Sequence, residues 1–506
     1  MINILFKKFK KSYIIIILLT FLYSISHLLI LNMYNGVDSV RNIDEFFNLS
    51  TIFFLSWVIK NFVRYNINII GIKTDIEAKE FFTNKFISRI FYEKFSDLEK
   101  KGDEYFNTLY NRDIERVSNF TSKIYIKFLL GSILFLVCFL YCMNLSYFLT
   151  VVILILSLLS VAITKHFEKH IQEVEEENMV LFENLSKLMI SLKTNKIVIT
   201  IEKIGDFIKG KIYDDWEKLK NENEKQIKLH SKVEALNFGV GMIVNTIWIV
   251  LALYLMYIDK LTIGSFIVFM SLSEIFNWPF FEYPFIKIEY IQTKQSLKKL
   301  EDYNRIDAKI SRDLIFEKLN IEDLTYSYEK KNLYYPNFSI NKGDWIAITG
   351  QSGTGKTTLL KVLMGLYEKN SGKILLNGKN TNRAYCEIKI GYVPQVIEIY
   401  SNESKDFNLT LMEQDLQKDN LINSIFKIKY NENNKYSGGE LKRIGLYRAL
   451  YDNPEILILD EYSAGLDDLN LNVSLELLKS LDKTIIYVTH DKRIIEWCNK
   501  KVEIYG

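Results

Sequence analysis

The chain alternates long apolar runs with long charged ones, and the length of each run limits what it can form. After Lys7, Lys8, Lys10 and Lys11, an apolar run from Tyr13 to about Met33 is broken only by His27 and a few small polar residues. A helix of that length crosses a bilayer, and no small-residue cleavage pattern follows it, so the run is expected to stay as a first span. Phe46 to about Ile59 predicts a second span, continuing as a helix past Lys60 and Arg64. Phe128–Cys142 and Leu145–Ile163 predict a tight hairpin of spans, with Met143 and Asn144 between them. Phe238–Tyr257 and Leu261 to about Phe281 predict a third pair. Lys73–Lys127 and Lys165–Glu234 carry charged residues at helical spacing and no run long enough to span. Short connections within pairs and long charged ones between them gather the charge on one face. Its Lys and Arg excess makes that face cytoplasmic, with both termini inside.

A polar linker is expected from Lys287 to Lys318. Beyond it the pattern changes to short apolar runs separated by helical ones: Phe316–Tyr328, Trp345–Thr349, Gly372–Leu376, Ile388–Val393, Ile456–Asp460 and Thr484–Thr489. That alternation predicts an α/β fold. The expected organisation is multi-domain: an all-α membrane domain of six helices over 1–300, then an α/β domain over 313–506.

Composition narrows this picture. The 506 residues are 48% hydrophobic and 25% charged, with a formal net charge of +3. The charge is too near balance for a nucleic-acid binder, and Lys and Arg are interleaved with Asp and Glu. Cys138, Cys142, Cys386 and Cys498 have no paired metal spacing and are expected to be reduced, small apolar residues.

The candidate chemistry begins at Gly350-Gln351-Ser352-Gly353-Thr354-Gly355-Lys356-Thr357, a G-x-x-x-x-G-K-[ST] phosphate-binding loop. It lies between a strand-like run and a helical run opened by Thr358 and Leu359, the context that the motif needs. The loop at Gly350, Ser352, Gly353 and Gly355 turns backbone N–H groups and a helix N-terminus toward phosphate oxygens. Lys356 reaches the β and γ phosphates, and Thr357 is a ligand for Mg²⁺. ATP and Mg²⁺ are the expected cofactors.

Six spans followed by this core, with Tyr436-Ser437-Gly438-Gly439-Glu440 close to an LSGGQ signature, resemble an ABC exporter half-transporter with fused membrane and nucleotide-binding domains. The resemblance covers essentially the whole chain. It implies that Asp460, at the end of Ile456-Leu457-Ile458-Leu459-Asp460-Glu461, supports Mg²⁺ and that Glu461 is the general base. It also implies that Gln395 is the Q-loop glutamine, contacting metal and attacking water, and that His490 is the switch histidine at the γ-phosphate. Tyr328 fits the aromatic residue stacked on adenine, with Tyr326 or Tyr335 as alternatives. Ser437, Gly438 and Gly439 would close over ATP held by a second subunit, and Asp467 would reach across to it. Coupling helices are expected near Tyr110–Val117 and Lys193–Lys203.

An ATPase of this kind needs two nucleotide-binding domains, so the expected partner is a second copy or a related half-transporter, in the bacterial inner membrane. Glu440, Tyr436 and Tyr462 depart from the usual glutamine, leucine and proline without removing a catalytic group. The short segment from Gln395 to Ser437, and Tyr430–Lys435 before the signature, suggest a differently built coupling loop. No peptidase domain is expected before the first span. Export of a peptide or a hydrophobic, amphipathic compound is the expected function, with an importer or signalling ATPase on the same fold as the alternative. A soluble ABC ATPase does not account for the spans. In the sixth span Glu274, Trp278 and Glu282 recur at intervals of four, predicting one polar face toward a substrate cavity.

Overall fold

The computed structural model describes residues 7–36, 42–305, 314–328, 331–400, 403–411 and 436–505. The chain divides into two compact units, Met1–Glu93 with Leu98–Arg305, and Lys94–Asp97 with Ile306–Gly506. The short-segment reading between Gln395 and Ser437 falls largely on residues 412–435, which lie outside the described residues.

The first unit is helical: α1 (Lys10–Asn35), α2 (Ile43–Tyr92), α3 (Phe95–Lys101, whose first residues belong to the second unit), α4 (Asp103–Thr108), α5 (Ile114–Asn119), α6 (Tyr125–Leu145), α7 (Tyr147–Thr194), α8 (Lys196–Ile201), α9 (Gly205–Tyr257), α10 (Ile263–Ser271), α11 (Ser273–Phe276) and α12 (Trp278–Glu301). Two π-helical turns, Leu109–Asp113 and Phe120–Ile124, join α4, α5 and α6 into one helix. Among the described residues five helices are long and apolar enough to cross a membrane, and their apolar windows are only 11% to 39% buried within the chain. The rest of that apolar surface faces outward, as it does in lipid.

The sixth span differs from the continuous helix expected over Leu261–Phe281. It is interrupted at Leu272 (ψ 0°) and Asn277 (ψ −11°), with Pro279 in the first turn of α12. Proline lacks the N–H that would continue the previous turn. The linker expected from Lys287 is corrected as well, because α12 continues to Glu301. Ile288, Ile291, Leu297 and Leu300 are buried at steps of three and six residues, together with the polar residues Gln292, Thr293 and Ser296. Tyr110–Val117 does not form a separate coupling helix, since Leu109, Asp113, Ile114 and Val117 are buried inside the long third helix. The short helix that follows α2 is α3.

Polar side chains buried in this unit are tied across helices. The Oε1 of Glu175 accepts from Arg116 Nη1 (2.8 Å), and its Oε2 accepts from Gln226 (2.5 Å) and Gln292 (2.9 Å). Ser118 and Ser122 donate to Asp75 (2.8 and 2.9 Å), and Ser296 donates to Asp113 (2.7 Å). Arg89, fully buried, pairs with Glu93 at the end of its own helix (2.7 Å) and donates across to the Lys299 carbonyl of α12.

The second unit holds two sheets. Strands β1 (Lys318–Tyr328), β2 (Lys331–Tyr334) and β3 (Phe338–Asn341) precede β4 (Trp345–Thr349) and α13 (Lys356–Met364). Then come β5 (Ser371–Leu376), β6 (Lys379–Asn380), α14 (Ala384–Glu387), β7 (Ile390–Val393), α15 (Lys405–Thr410) and α16 (Gly438–Tyr451). The chain closes with β8 (Ile456–Asp460), α17 (Asp468–Ser480), β9 (Thr484–Val488), α18 (Lys492–Ile495) and β10 (Lys500–Glu503). One sheet is parallel, ordered β10-β4-β9-β8-β7, and the other is antiparallel around β1. Every residue of β8 and β9 is buried. This is why Ile456-Leu457-Ile458-Leu459 and Thr484-Ile485-Ile486-Tyr487-Val488 are near-continuous apolar runs: a parallel sheet is covered on both faces. The parallel order brings the ends of β4, β8 and β9 side by side.

Candidate functional site

The loop after β4 closes on itself through glycine geometry. Gly350 has φ +152°, and a Cβ there would stand 2.5 Å from the Ile504 carbonyl oxygen. Gly355, at φ +93°, caps α13, and its carbonyl accepts from the Tyr335 hydroxyl at 3.2 Å. Lys356, the first residue of α13, is buried and bridges the loop: Nζ donates to Gly350 O (2.8 Å) and Gln351 O (2.9 Å) and lies 2.9 Å from His490 Nε2. Ser352, Gly353 and Thr357 are exposed along the loop, and Thr358 is half-buried behind them.

At the neighbouring strand end, Asp460 is 2% exposed and its Oδ1 has no hydrogen-bond partner. Burial pushes its carboxyl above the usual carboxylate range, while hydrogen bonds with Thr357 and Tyr392 and the charges of Lys442 and Lys356 oppose the shift. An orphaned buried carboxylate oxygen beside a threonine fits Mg²⁺, a hard cation that takes few protein ligands and completes its shell with water and phosphate. Glu461 turns out of the strand at φ +48°, with its N–H donating to Val488 O at 2.9 Å. Its Oε1 lies 3.9 Å from His490 Nε2, and the His490 ring is exposed. Lys356, Glu461 and His490 therefore meet at one edge of the parallel sheet.

Ser437 caps α16. Its Oγ accepts from Glu440 N (3.3 Å), while Glu440 Oε2 accepts from Ser437 N (2.7 Å) and Oγ (2.9 Å), a reciprocal capping box. The backbone bond from Ser437 is the main cause holding the Glu440 carboxyl below the usual range. Glutamate in place of the usual glutamine thus stiffens the turn that presents Gly438 and Gly439. Asp467 caps α17, accepting from Asn470 N (2.7 Å) and Nδ2 (2.9 Å). Tyr462 is fully buried and donates to Ser474 Oγ at 3.0 Å, anchoring the same helix.

The aromatic candidates separate. Tyr326 is buried and stacked on Tyr367 (5.1 Å, 16°), and Tyr335 is buried against the loop. Tyr328 lies at the end of β1, opposite Lys331, and its side chain is outside the described residues. The sixth-span stripe does not act as one face. Glu274 and Glu282 are exposed, but the Trp278 indole packs on Phe128 and lies directly over Gly131 of α6. The break at Asn277 separates Glu274, in α11, from Trp278 and Glu282, which share α12.

One residue escaped the sequence reading. Lys442, in the second turn of α16, is 6% exposed, and its Nζ donates to Gln395 O (2.8 Å) and Glu461 O (3.2 Å). In sequence it stands beside Arg443 like any solvated helix charge. Only its steps of three, four and seven to Gly445, Leu446 and Ala449, all buried, placed it on an inward face. Gln395 itself is exposed.

The family model for the ABC transporter matches residues 333–464, and that for the ABC transporter transmembrane region matches 84–280. The "Ergothioneine transport ATP-binding protein EgtV" of Helicobacter pylori is 31% identical over 195 residues, 35% of this chain and 91% of that protein. The "Lactococcin-A transport/processing ATP-binding protein LcnC" of Lactococcus lactis is 25% identical over 381 residues, 67% of this chain and 51% of that protein. The chain spans about half the length of such fused relatives. A solved structure, "Structure of a bacterial Atm1-family ABC exporter with ATP bound", superposes with a TM-score of 0.84 at 15% identity, covering 98% of this chain and 94% of that one. At that identity the likeness is one of fold.

Proposed function

The chain belongs to the ABC transporter family, and from that premise we propose that two copies, or one copy and a related half-transporter, couple ATP hydrolysis to export of a cargo across a bacterial inner membrane. The domains would divide as 1–300 for translocation and 313–506 for ATP, with both termini and the ATPase on the cytoplasmic side. The observation that carries the reading is the meeting of Lys356, His490 and Glu461, at 2.9 and 3.9 Å, beside the buried Asp460. A phosphate loop beside a carboxylate pair at a strand end is what phosphoryl transfer to water requires.

Lys356 and the loop N–H groups bind the β and γ phosphates, releasing the ammonium from the loop carbonyls it now bridges. Thr357 and Asp460 would hold Mg²⁺ with Gln395 at its edge, and the ion supplies charge neutralisation on the phosphates. Glu461 takes the proton of the attacking water, and His490 orients the γ-phosphate. Ser437, Gly438 and Gly439 of one copy close over ATP in the other, with Asp467 at the seam and Tyr328 against adenine. Closure then swings the spans, transmitted through the short helices α3 and α8.

For the cargo, a peptide or a hydrophobic, amphipathic compound is our reading, supported by likeness to a lactococcin transport/processing protein. Glu274 and Glu282 remain the candidate cavity carboxylates, with Trp278 acting from its packed position on α6. Lys60 lies within electrostatic reach of Glu274, so the cavity would hold both signs of charge. The test is reconstitution into vesicles of known orientation. ATP-dependent accumulation of labelled peptide in inside-out vesicles supports export, whereas accumulation only in right-side-out vesicles supports import.

A further inference from the structure

From the placement of Lys442 between two backbone carbonyls, we infer that it is a positioning residue linking the signature turn to the hydrolytic residues of the same subunit. The inference rests on the ATPase reading above. Helix α16 starts at the signature, and its capping box fixes the first turn. One turn later the Lys442 ammonium leaves that helix and holds Gln395 O and Glu461 O together. Glu461 stands at φ +48°, a conformation that non-glycine residues occupy only when their surroundings impose it. Its N–H is fixed by Val488 O and its carbonyl by Lys442, so both sides of this residue are clamped.

The charge environment fits a buried ammonium kept for a purpose. Lys442 is buried and faces the carboxylates of Asp460 and Glu461, so its charge is balanced as well as hydrogen-bonded. A methionine or leucine would fill the same space without the desolvation penalty, but neither could donate to two carbonyls. The consequence is directional. The turn Ser437–Gly439 serves ATP held by the partner, while Gln395 and Glu461 serve ATP held in this subunit. A signature turn seated on the partner's nucleotide moves α16, and Lys442 delivers that movement to Glu461 as one rigid arm. The two ATP sites are thereby joined through a single side chain in each subunit.

The test uses the full chain reconstituted in liposomes, with kcat and KM for ATP measured for the parent, Lys442→Met, Lys442→Arg and Glu461→Gln. Lys442→Met keeps most of the stem and removes the ammonium. It should lower kcat by about tenfold or more, the scale of a lost charge-assisted hydrogen bond, and leave KM within about twofold. Lys442→Arg still donates to both carbonyls and should recover most of kcat. A Met variant at the parent rate, an Arg variant no better than Met, or a loss of ATP affinity in step with kcat overturns the role. If the Met variant does not fold, Lys442→Gln replaces it under the same criteria. Combining Lys442→Met with Ser437→Ala should give less than the product of the two losses, and independent losses would overturn the link between sites. A parent without ATPase activity, or a Glu461→Gln variant as active as the parent, would instead defeat the transporter reading itself.

Discussion

Glu175 in the helical unit and Asp460 in the α/β unit are both buried carboxylates, 3% and 2% exposed, yet they are treated oppositely. Glu175 receives three donors from three other helices, so both of its oxygens are engaged within the protein. Asp460 keeps Oδ1 without a partner beside the phosphate loop. Burying a charge is costly unless it is paired. The fully paired carboxylate therefore marks architecture, and the incompletely paired one marks a place where a ligand completes the pairing. Asp75 and its two serines belong with the first kind, and Lys356, held by loop carbonyls, with the second.

Substitutions can break this contrast from either side. The largest effect should come from Lys356→Ala, which removes the fixed positive charge of the loop. ATP affinity should fall by about a hundredfold or more in binding titrations, with the thermal melt of the nucleotide-free chain nearly unchanged. Glu461→Gln should bind ATP yet lose hydrolysis by about a hundredfold, because an amide cannot take the proton of water; gel filtration with ATP should trap a dimer. Glu175→Gln should do the reverse, leaving ATP affinity intact while costing about 1–3 kcal/mol in denaturation, since an amide N–H would face the donors that now converge there.

Asp460→Asn sharpens the distinction further. Activity with Mg²⁺ should vanish, but nucleotide-free stability should hold or rise by up to about 1 kcal/mol, because the charge it removes is penalised by burial. Its sign with pH is fixed by linkage. The Asp460 carboxyl titrates higher in the folded chain than in the unfolded one, so folding favours the protonated form. That contribution is complete below the unfolded value and is lost as pH rises through the folded one. The parent should therefore lose stability relative to the Asn variant as pH rises from the acid range, read from paired melts. The smallest effect should come from Glu274→Gln, which should weaken cargo-stimulated ATPase, by about two- to fivefold, more than it alters turnover without cargo.

How much of this could be read from residues alone follows the same division. The phosphate loop, the strand ending in Asp460-Glu461 and the signature are local patterns whose backbone geometry is set by their own residues, so their positions could be read directly. The long apolar runs fixed the membrane helices for the same reason, since length and hydropathy are local. The breaks at Leu272 and Asn277 fall among Ser271, Ser273, Glu274, Asn277 and Pro279, a polar stretch that a span read by its overall length passes over. Lys442 and Glu175 read as charges on polar helices, since nothing nearby in sequence marks the distant carbonyls and amides that bury them. The helix over Lys287–Glu301 was hidden by lysines lying between its buried positions. In the antiparallel sheet β1 and β5 were legible as apolar runs, whereas β2, β3 and β6 have only two to four residues, too short for alternation to register.

The two π turns in the third long helix, Leu109–Asp113 and Phe120–Ile124, carry a consequence for comparing this chain with others. A π turn holds one residue more than an α turn in the same stretch of axis, and each α-helical residue turns the face by about 100°. A related span built of α turns throughout would slip against this one by a residue at the first π turn and by two beyond the second. Positions matched by simple counting after Ile124 would then point about 200° apart, toward lipid in one protein and toward the neighbouring helices in the other. Asp113, Ser118 and Ser122 sit in or between these turns, so their counterparts elsewhere should be sought by the partners they touch, Ser296 and Asp75, rather than by their number along the chain.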